Sequence, residues 1–92
     1  MAGAARYPHL MSPTVLRIHG FRFYFFCREE PRPHVHVRHG AGRVKIWLAP
    51  AIEVASHSRM DAPSLARALR LVRQNEDLLR AAWEAHRRSD DR

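Results

Sequence analysis

The sequence contains one cysteine, Cys27, in 92 residues. No intramolecular disulfide can form, and a thiolate zinc site would lack its other ligands. No apolar run approaches the roughly 18–20 residues of a membrane-spanning helix. The first residues show neither the basic region nor the apolar core of a secretory signal. These absences lead us to expect a cytoplasmic setting and no membrane association. Carboxylates are also scarce, with nine Asp and Glu against sixteen Arg and Lys and a net charge of +7. The imbalance is local: residues 1–52 carry eight basic and two acidic groups (+6), residues 53–92 eight and seven (+1). Such a field attracts polyanions such as nucleic acid, and an acidic protein partner would answer it equally well.

What remains is an ordinary globular composition, 46% hydrophobic, in a length that allows one domain. A chain this short buries only about 60–65% of its unfolded surface, so homo-oligomerisation would be one source of added stability. Residues 1–12 lack periodicity and are expected to form a flexible tail. Met11 stands directly before the first patterned segment and is the expected natural start. The domain should then occupy residues 13–87, with a polar, flexible end at 88–92.

Two hairpins are legible. In the first, Thr14-Val15-Leu16-Arg17-Ile18 and Phe21 through Phe26 flank His19-Gly20. Gly20 accepts the positive φ of a two-residue turn, and His19 is among the side chains that tolerate it best. The implied pairs are Ile18–Phe21, Arg17–Arg22, Leu16–Phe23 and Val15–Tyr24. Leu16, Ile18, Phe21, Phe23 and Phe25 then face the core, while Arg17, Arg22, Tyr24 and Phe26 face outward.

The second hairpin contains the most distinctive stretch, Pro33-His34-Val35-His36-Val37-Arg38-His39. Prolines at 31 and 33 stiffen its approach, and strict alternation follows. Turning at Gly40-Ala41, it pairs His39–Gly42, Arg38–Arg43, Val37–Val44, His36–Lys45, Val35–Ile46 and His34–Trp47. Val35, Val37, Val44, Ile46 and Leu48 point inward, and His34, His36, Arg38, Arg43, Lys45 and Trp47 outward. Pro50 ends the strand. Residues 51–60 offer at best a short strand near Ile52-Glu53-Val54. Asp61 can cap a helix, and Pro63 costs nothing in its first turn. The apolar positions Leu65, Ala68, Leu69, Val72, Leu79, Ala82 and Trp83 predict one long amphipathic helix to about Arg87, with Asn75 as its point of weakness because Glu76 interrupts the stripe. The fold class is therefore α+β: an antiparallel sheet of about four strands with one face covered by a long C-terminal helix.

The outward face gathers Arg17, Arg22, Arg38, Arg43 and Lys45 with Tyr24 and Trp47. Like charges opposed across strands are destabilising, and an anion lying over the sheet would relieve them. Arginine and lysine bind phosphates, and exposed aromatics stack on bases, which favours RNA as the ligand. A merely solvated face is the plainer alternative. His34 and His36 share a side and are the candidate catalytic residues of a metal-independent ribonuclease. Cationic neighbours would keep the His36 imidazole neutral and able to accept a proton from a ribose hydroxyl. For His34 the plainer alternative is a local hydrogen bond and packing on Trp47. The same pair could start a metal-binding hydrolase site. It needs a third ligand from His39 (if the Gly40 turn brought it round), Glu29, Glu30 or His57. No cofactor is implied.

The residues Pro13-Thr14-Val15-Leu16-Arg17-Ile18, Gly20-Phe21-Arg22-Phe23, Pro33-His34-Val35-His36-Val37 and Trp47-Leu48, with Trp83 on a late helix, resemble a small bacterial domain-of-unknown-function family, numbered four-one-six-zero in its series. The resemblance covers about residues 11–86. Members of that family begin at Met-Pro-Thr or similar, which supports Met11 as the start. They are often encoded beside another small domain, implying a toxin–antitoxin association and a cognate small protein from an adjacent gene as partner. No catalytic residues are established for the family, so none carries over. Many relatives have an acidic residue where this chain has Ala49, which removes a carboxylate and weakens the metal alternative.

Overall fold

The computed structural model describes residues 14–26 and 31–90. The N-terminal tail, Met11, Cys27, Glu29 and Glu30 lie outside them. Five strands, β1 (Thr14–Ile18), β2 (Phe21–Tyr24), β3 (His34–His39), β4 (Gly42–Trp47) and β5 (Glu53–Ser58), precede two helices, α1 (Ala62–Gln74) and α2 (Glu76–Asp90). Each strand pairs antiparallel with the next in the order β1-β2-β3-β4-β5, a meander. The helices cover one face of this sheet, so the architecture is α+β.

Turn chemistry sets the register. His19 and Gly20 both adopt positive φ, 49° and 82°, the mirror-image turn whose twist matches that of the flanking strands. Ile18 then pairs with Phe21, Arg17 with Arg22 and Leu16 with Phe23, as the side-chain pattern predicts. Beyond Leu16 the register departs from expectation, because a bulge leaves Thr14 rather than Val15 opposite Tyr24. Thr14 Oγ1 consequently accepts a 2.8 Å hydrogen bond from Arg22 Nε. The second hairpin forms all six expected pairs, from His39–Gly42 to His34–Trp47.

The sheet has one strand more than expected. β5 extends through Ser58, although four of its six residues are exposed. Its backbone ladder to β4 supplies what its side chains do not, and a bulge at Lys45/Ile46 adjusts the pairing. The chain leaves β5 through Arg59, whose φ is 56°. There its carbonyl presses so closely on Gly42 that a β-carbon at 42 would overlap it.

Asp61 caps α1 as expected: its Oδ1 accepts the Ser64 N–H at 2.9 Å, and Pro63 lies in the first turn. The single long helix of the sequence reading is instead two. Asn75 Nδ2 donates to the Leu71 carbonyl at 2.8 Å, and its N–H is shared between Leu71 and Val72 carbonyls. An asparagine side chain competing for helix carbonyls is a natural terminator, and α2 starts afresh with Leu79 N–H donating to the Asn75 carbonyl. α2 continues to Asp90, past the expected end near Arg87. The core forms between Phe21, Phe23, Phe25, Val35, Val37, Val44, Ile46 and Leu48 of the sheet side and Ala68, Val72, Leu79 and Trp83 of the helices. Leu65 and Leu69 close its margin, half-buried. Among the described residues no helix covers the opposite face of the sheet, which carries Arg17, Arg22, Arg38, Arg43 and Lys45.

Candidate nucleic-acid interface

Strand pairing between the hairpins, which the sequence did not specify, aligns their outward residues into rows. Arg22 lies opposite Arg38 and Tyr24 opposite His36. Combined with the hairpin registers, Arg17, Arg22, Arg38 and Arg43 form one row across four strands. Two residues along, Tyr24, His36 and Lys45 form a second row. His34 and Trp47 begin a third. The face thus grades from purely cationic to aromatic along the strand direction.

Within the arginine row, Arg17, Arg38 and Arg43 are exposed and Arg22 is half-buried. Arg22 is braced from two sides, by Thr14 and by the Tyr24 ring, 4.6 Å beneath its guanidinium. Like charges in adjacent strands, spaced about 4.7–4.9 Å, repel. No carboxylate is interleaved in this row.

Tyr24 departs from expectation. The alternation makes it an outward aromatic, but it is only 4% exposed. Arg22 lies over it, His36 stacks beside it at 5.4 Å, and Phe26 meets it edge-on at 5.4 Å. His34 departs further, because it is fully buried. It opens β3, where the sheet margin is closed by α2. Its ring approaches Trp83 at 4.9 Å, His36 at 5.1 Å and Trp47 at 5.7 Å. Its Nδ1 lies 2.7 Å from the Arg32 carbonyl. A carbonyl only accepts, so Nδ1 carries the proton. His34 therefore has the packing and local hydrogen-bonding role offered as its plainer alternative, and it cannot touch a ligand on the face. His36, half-buried, stays on the outer side.

Trp47 is also half-buried. Arg32 lies 3.9 Å and Lys45 4.5 Å from its ring centre. Arg32 lies in the proline-flanked segment that leads into β3. Its Nε donates to the Ala49 carbonyl at 2.9 Å, and its guanidinium reaches Glu53 at 4.0 Å. Only the tertiary fold reveals this, since 15 residues or more separate these groups in sequence.

Of the third-ligand candidates, Glu29 and Glu30 lie outside the described residues, and the two described ones, His39 and His57, do not converge on His36. His39 stacks on Phe21 at 4.0 Å and 8° and donates to the Gly20 carbonyl. The Gly40 turn therefore does not carry it round to His36. His57 stands on β5 opposite Val44, exposed. Among the described residues, no three His, Cys, Asp or Glu side chains are grouped to hold a metal ion. Also among them, no helix is long and apolar enough to cross a membrane. One contact at the margin of this face is not legible in the sequence: His86 of α2 donates Nε2–H to the Phe26 carbonyl at 2.8 Å. A lone histidine in a polar helical stretch gives no sign of such a role.

The model of a family described as Domain of unknown function (DUF4160) matches residues 20–84, more than two thirds of the chain. The chain belongs to this family. No curated protein and no solved structure matches it. The DUF4160 match takes in β2 to β5, α1 and most of α2, and with them Arg22, Arg38, Arg43, Lys45 and both His34 and His36. Arg17 precedes it. The description of DUF4160 carries no activity, so a functional reading rests on the face itself.

Proposed function

We propose that this protein binds single-stranded nucleic acid, RNA by preference, on the outer face of its sheet, as part of a toxin–antitoxin-like module. The observation that carries the reading is the row Arg17–Arg22–Arg38–Arg43, aligned across four strands without an intervening carboxylate. A row of like charges costs stability in the free protein, and phosphates laid along it convert that cost into binding free energy through counterion release. A broad sheet face suits a splayed single strand better than the grooves of a duplex, which admit a helix or a narrow ribbon. RNA cleavage without a metal would rest on His36 as general base, with the arginines stabilising charge on the phosphate.

The test is RNA affinity as a function of salt for wild type and for a variant with Arg38, Arg43 and Lys45 replaced by Ala. The reading predicts weaker binding and a flatter salt dependence in the variant. Unchanged affinity and slope would instead favour an acidic partner protein, the product of an adjacent gene, as the occupant of this face.

A further inference from the structure

The aromatic residues of the outer face differ in what they offer a ligand. Tyr24 is covered, and the Trp47 ring already carries two cations. Phe26 is 41% exposed, the one exposed Phe, Tyr or Trp among the described residues. A solitary exposed ring is ordinary on a protein surface; here the setting matters. Tyr24 and His36 lie nearly parallel, 22° apart, forming a layer. Phe26 stands across that layer, at 88° to Tyr24 and 67° to His36, with the His36 ring centre 4.6 Å away. Its carbonyl accepts the His86 hydrogen bond, which ties this point of the backbone to α2. The ring is therefore held in T-shaped contact with Tyr24 and His36 while 41% of the residue remains exposed. Little further ordering would be needed for it to receive a partner.

Phe26 also occupies a defined place relative to the charge. Arg22, Tyr24 and Phe26 alternate along one side of the chain. Phe26 follows the end of β2 by two residues, and through Tyr24 its ring centre lies within about 10 Å of the Arg22 guanidinium, with the Tyr24–His36 layer between. The arginine row itself, four strands wide, spans about 14 Å at right angles to the strands. A polymer with charge along one edge and aromatic rings along the other matches both axes. A nucleic-acid strand crossing the β-strands is such a polymer, with phosphates towards the arginines and bases towards Phe26.

We propose that Phe26 is a stacking platform for an unpaired base of RNA whose sugar–phosphate backbone crosses the sheet along the arginine side. The inference rests on the RNA-binding reading above and adds to it an orientation and a contact residue. Base pairing buries base faces within the duplex stack, so a platform of this kind rewards only unpaired bases.

The experiment compares a uridine dodecamer with inorganic polyphosphate of matched charge, using wild type, Phe26→Ala, Phe26→Leu and Phe26→Tyr. Leu keeps an apolar contact with Tyr24 and His36 but has no ring, and Tyr keeps the ring. Alanine and leucine should weaken uridine-dodecamer binding roughly 5- to 150-fold, leaving the salt slope and polyphosphate affinity unchanged, and tyrosine should restore it. Equal losses on both probes, or full affinity of Phe26→Leu for the dodecamer, would overturn the stacking assignment while leaving the arginine reading intact. Wild-type protein that binds neither probe would overturn both.

Discussion

Arg22 and Arg38 stand directly opposite each other on β2 and β3, and this pairing joins the Arg17–Arg22 and Arg38–Arg43 pairs of the two hairpins into one continuous row. A sheet built for stability alone would alternate charges at these positions. Arg38→Gln should therefore raise the melting temperature at low salt, by an amount equivalent to a few tenths of a kcal/mol up to ~1, while weakening RNA binding. Thermal melts at low and high salt check this. The gain should shrink as salt screens the row, and a variant less stable than wild type at low salt would contradict it.

Gly42 gives a second prediction. A β-carbon there meets the Arg59 carbonyl and the Met60 backbone, neither of which can move without disturbing β5. Gly42→Ala should destabilise by about 1–3 kcal/mol, the usual cost of overpacking. Gly40 provides the contrast. Nothing lies near its missing β-carbon and its φ is 59°, a conformation asparagine adopts well. Gly40→Asn should be tolerated in the same urea titration.

The folding pattern was largely legible because both hairpins state their register twice, in alternation and in turn residues. His19-Gly20 and the Val35/Val37 face leave no competing arrangement. β5 was hard to see because an edge strand with Ser56, His57 and Ser58 exposed needs no apolar alternation. The apolar stripe, interrupted at Glu76, marks Asn75 as the weak point of the helix, but the break itself comes from the Asn75 side chain competing for carbonyls, which periodicity alone does not show. At the site, alternation placed the arginines, His36 and Lys45 on the outer face. It misplaced His34 and Tyr24 because a strand pattern gives the face but not what neighbouring elements lay over it. Trp83 and the Arg32 carbonyl enclose His34, and Arg22 and Phe26 cover Tyr24. Phe26 itself was read as outward but not as a ligand contact.

The Asp61 cap predicts a pH dependence. The Ser64 backbone N–H, then the Ser64 hydroxyl, hold its carboxyl below the usual value of 3.8, with a smaller contribution from His39. A carboxyl with a lowered folded pKa stabilises the fold above 3.8, and that contribution disappears as pH falls through the lowered value. Asp61→Ala should therefore melt below wild type at neutral pH, and the difference should begin to shrink below about pH 3.8 and vanish only once pH is below the lowered value. A difference that stays constant into the acid range would show that the carboxylate charge plays no part.

Catalysis, if the face supports it, depends on His36, since His34 is enclosed. His36→Ala should reduce metal-free RNA cleavage by about 10²–10⁴, the usual loss on removing a general base, while RNA affinity stays within a few fold. His36→Gln should behave alike, because it cannot titrate. Single-turnover cleavage with chelator present, across roughly pH 5.5–8.5 where histidine titrates, is the assay. Variants that cleave as fast as wild type, or a wild type that cleaves nothing, would remove the ribonuclease reading and leave a binding protein.

The claim that the arginine-lined face is the ligand surface is tested most directly by the salt dependence of single-stranded RNA affinity. With Arg38, Arg43 and Lys45 replaced together by Ala, the slope of log affinity against log salt should become shallower by roughly two, at about 0.7 per lost phosphate contact on a single strand, and affinity at low salt should fall. A slope identical to that of the wild type, in a variant that melts cooperatively, would contradict the account.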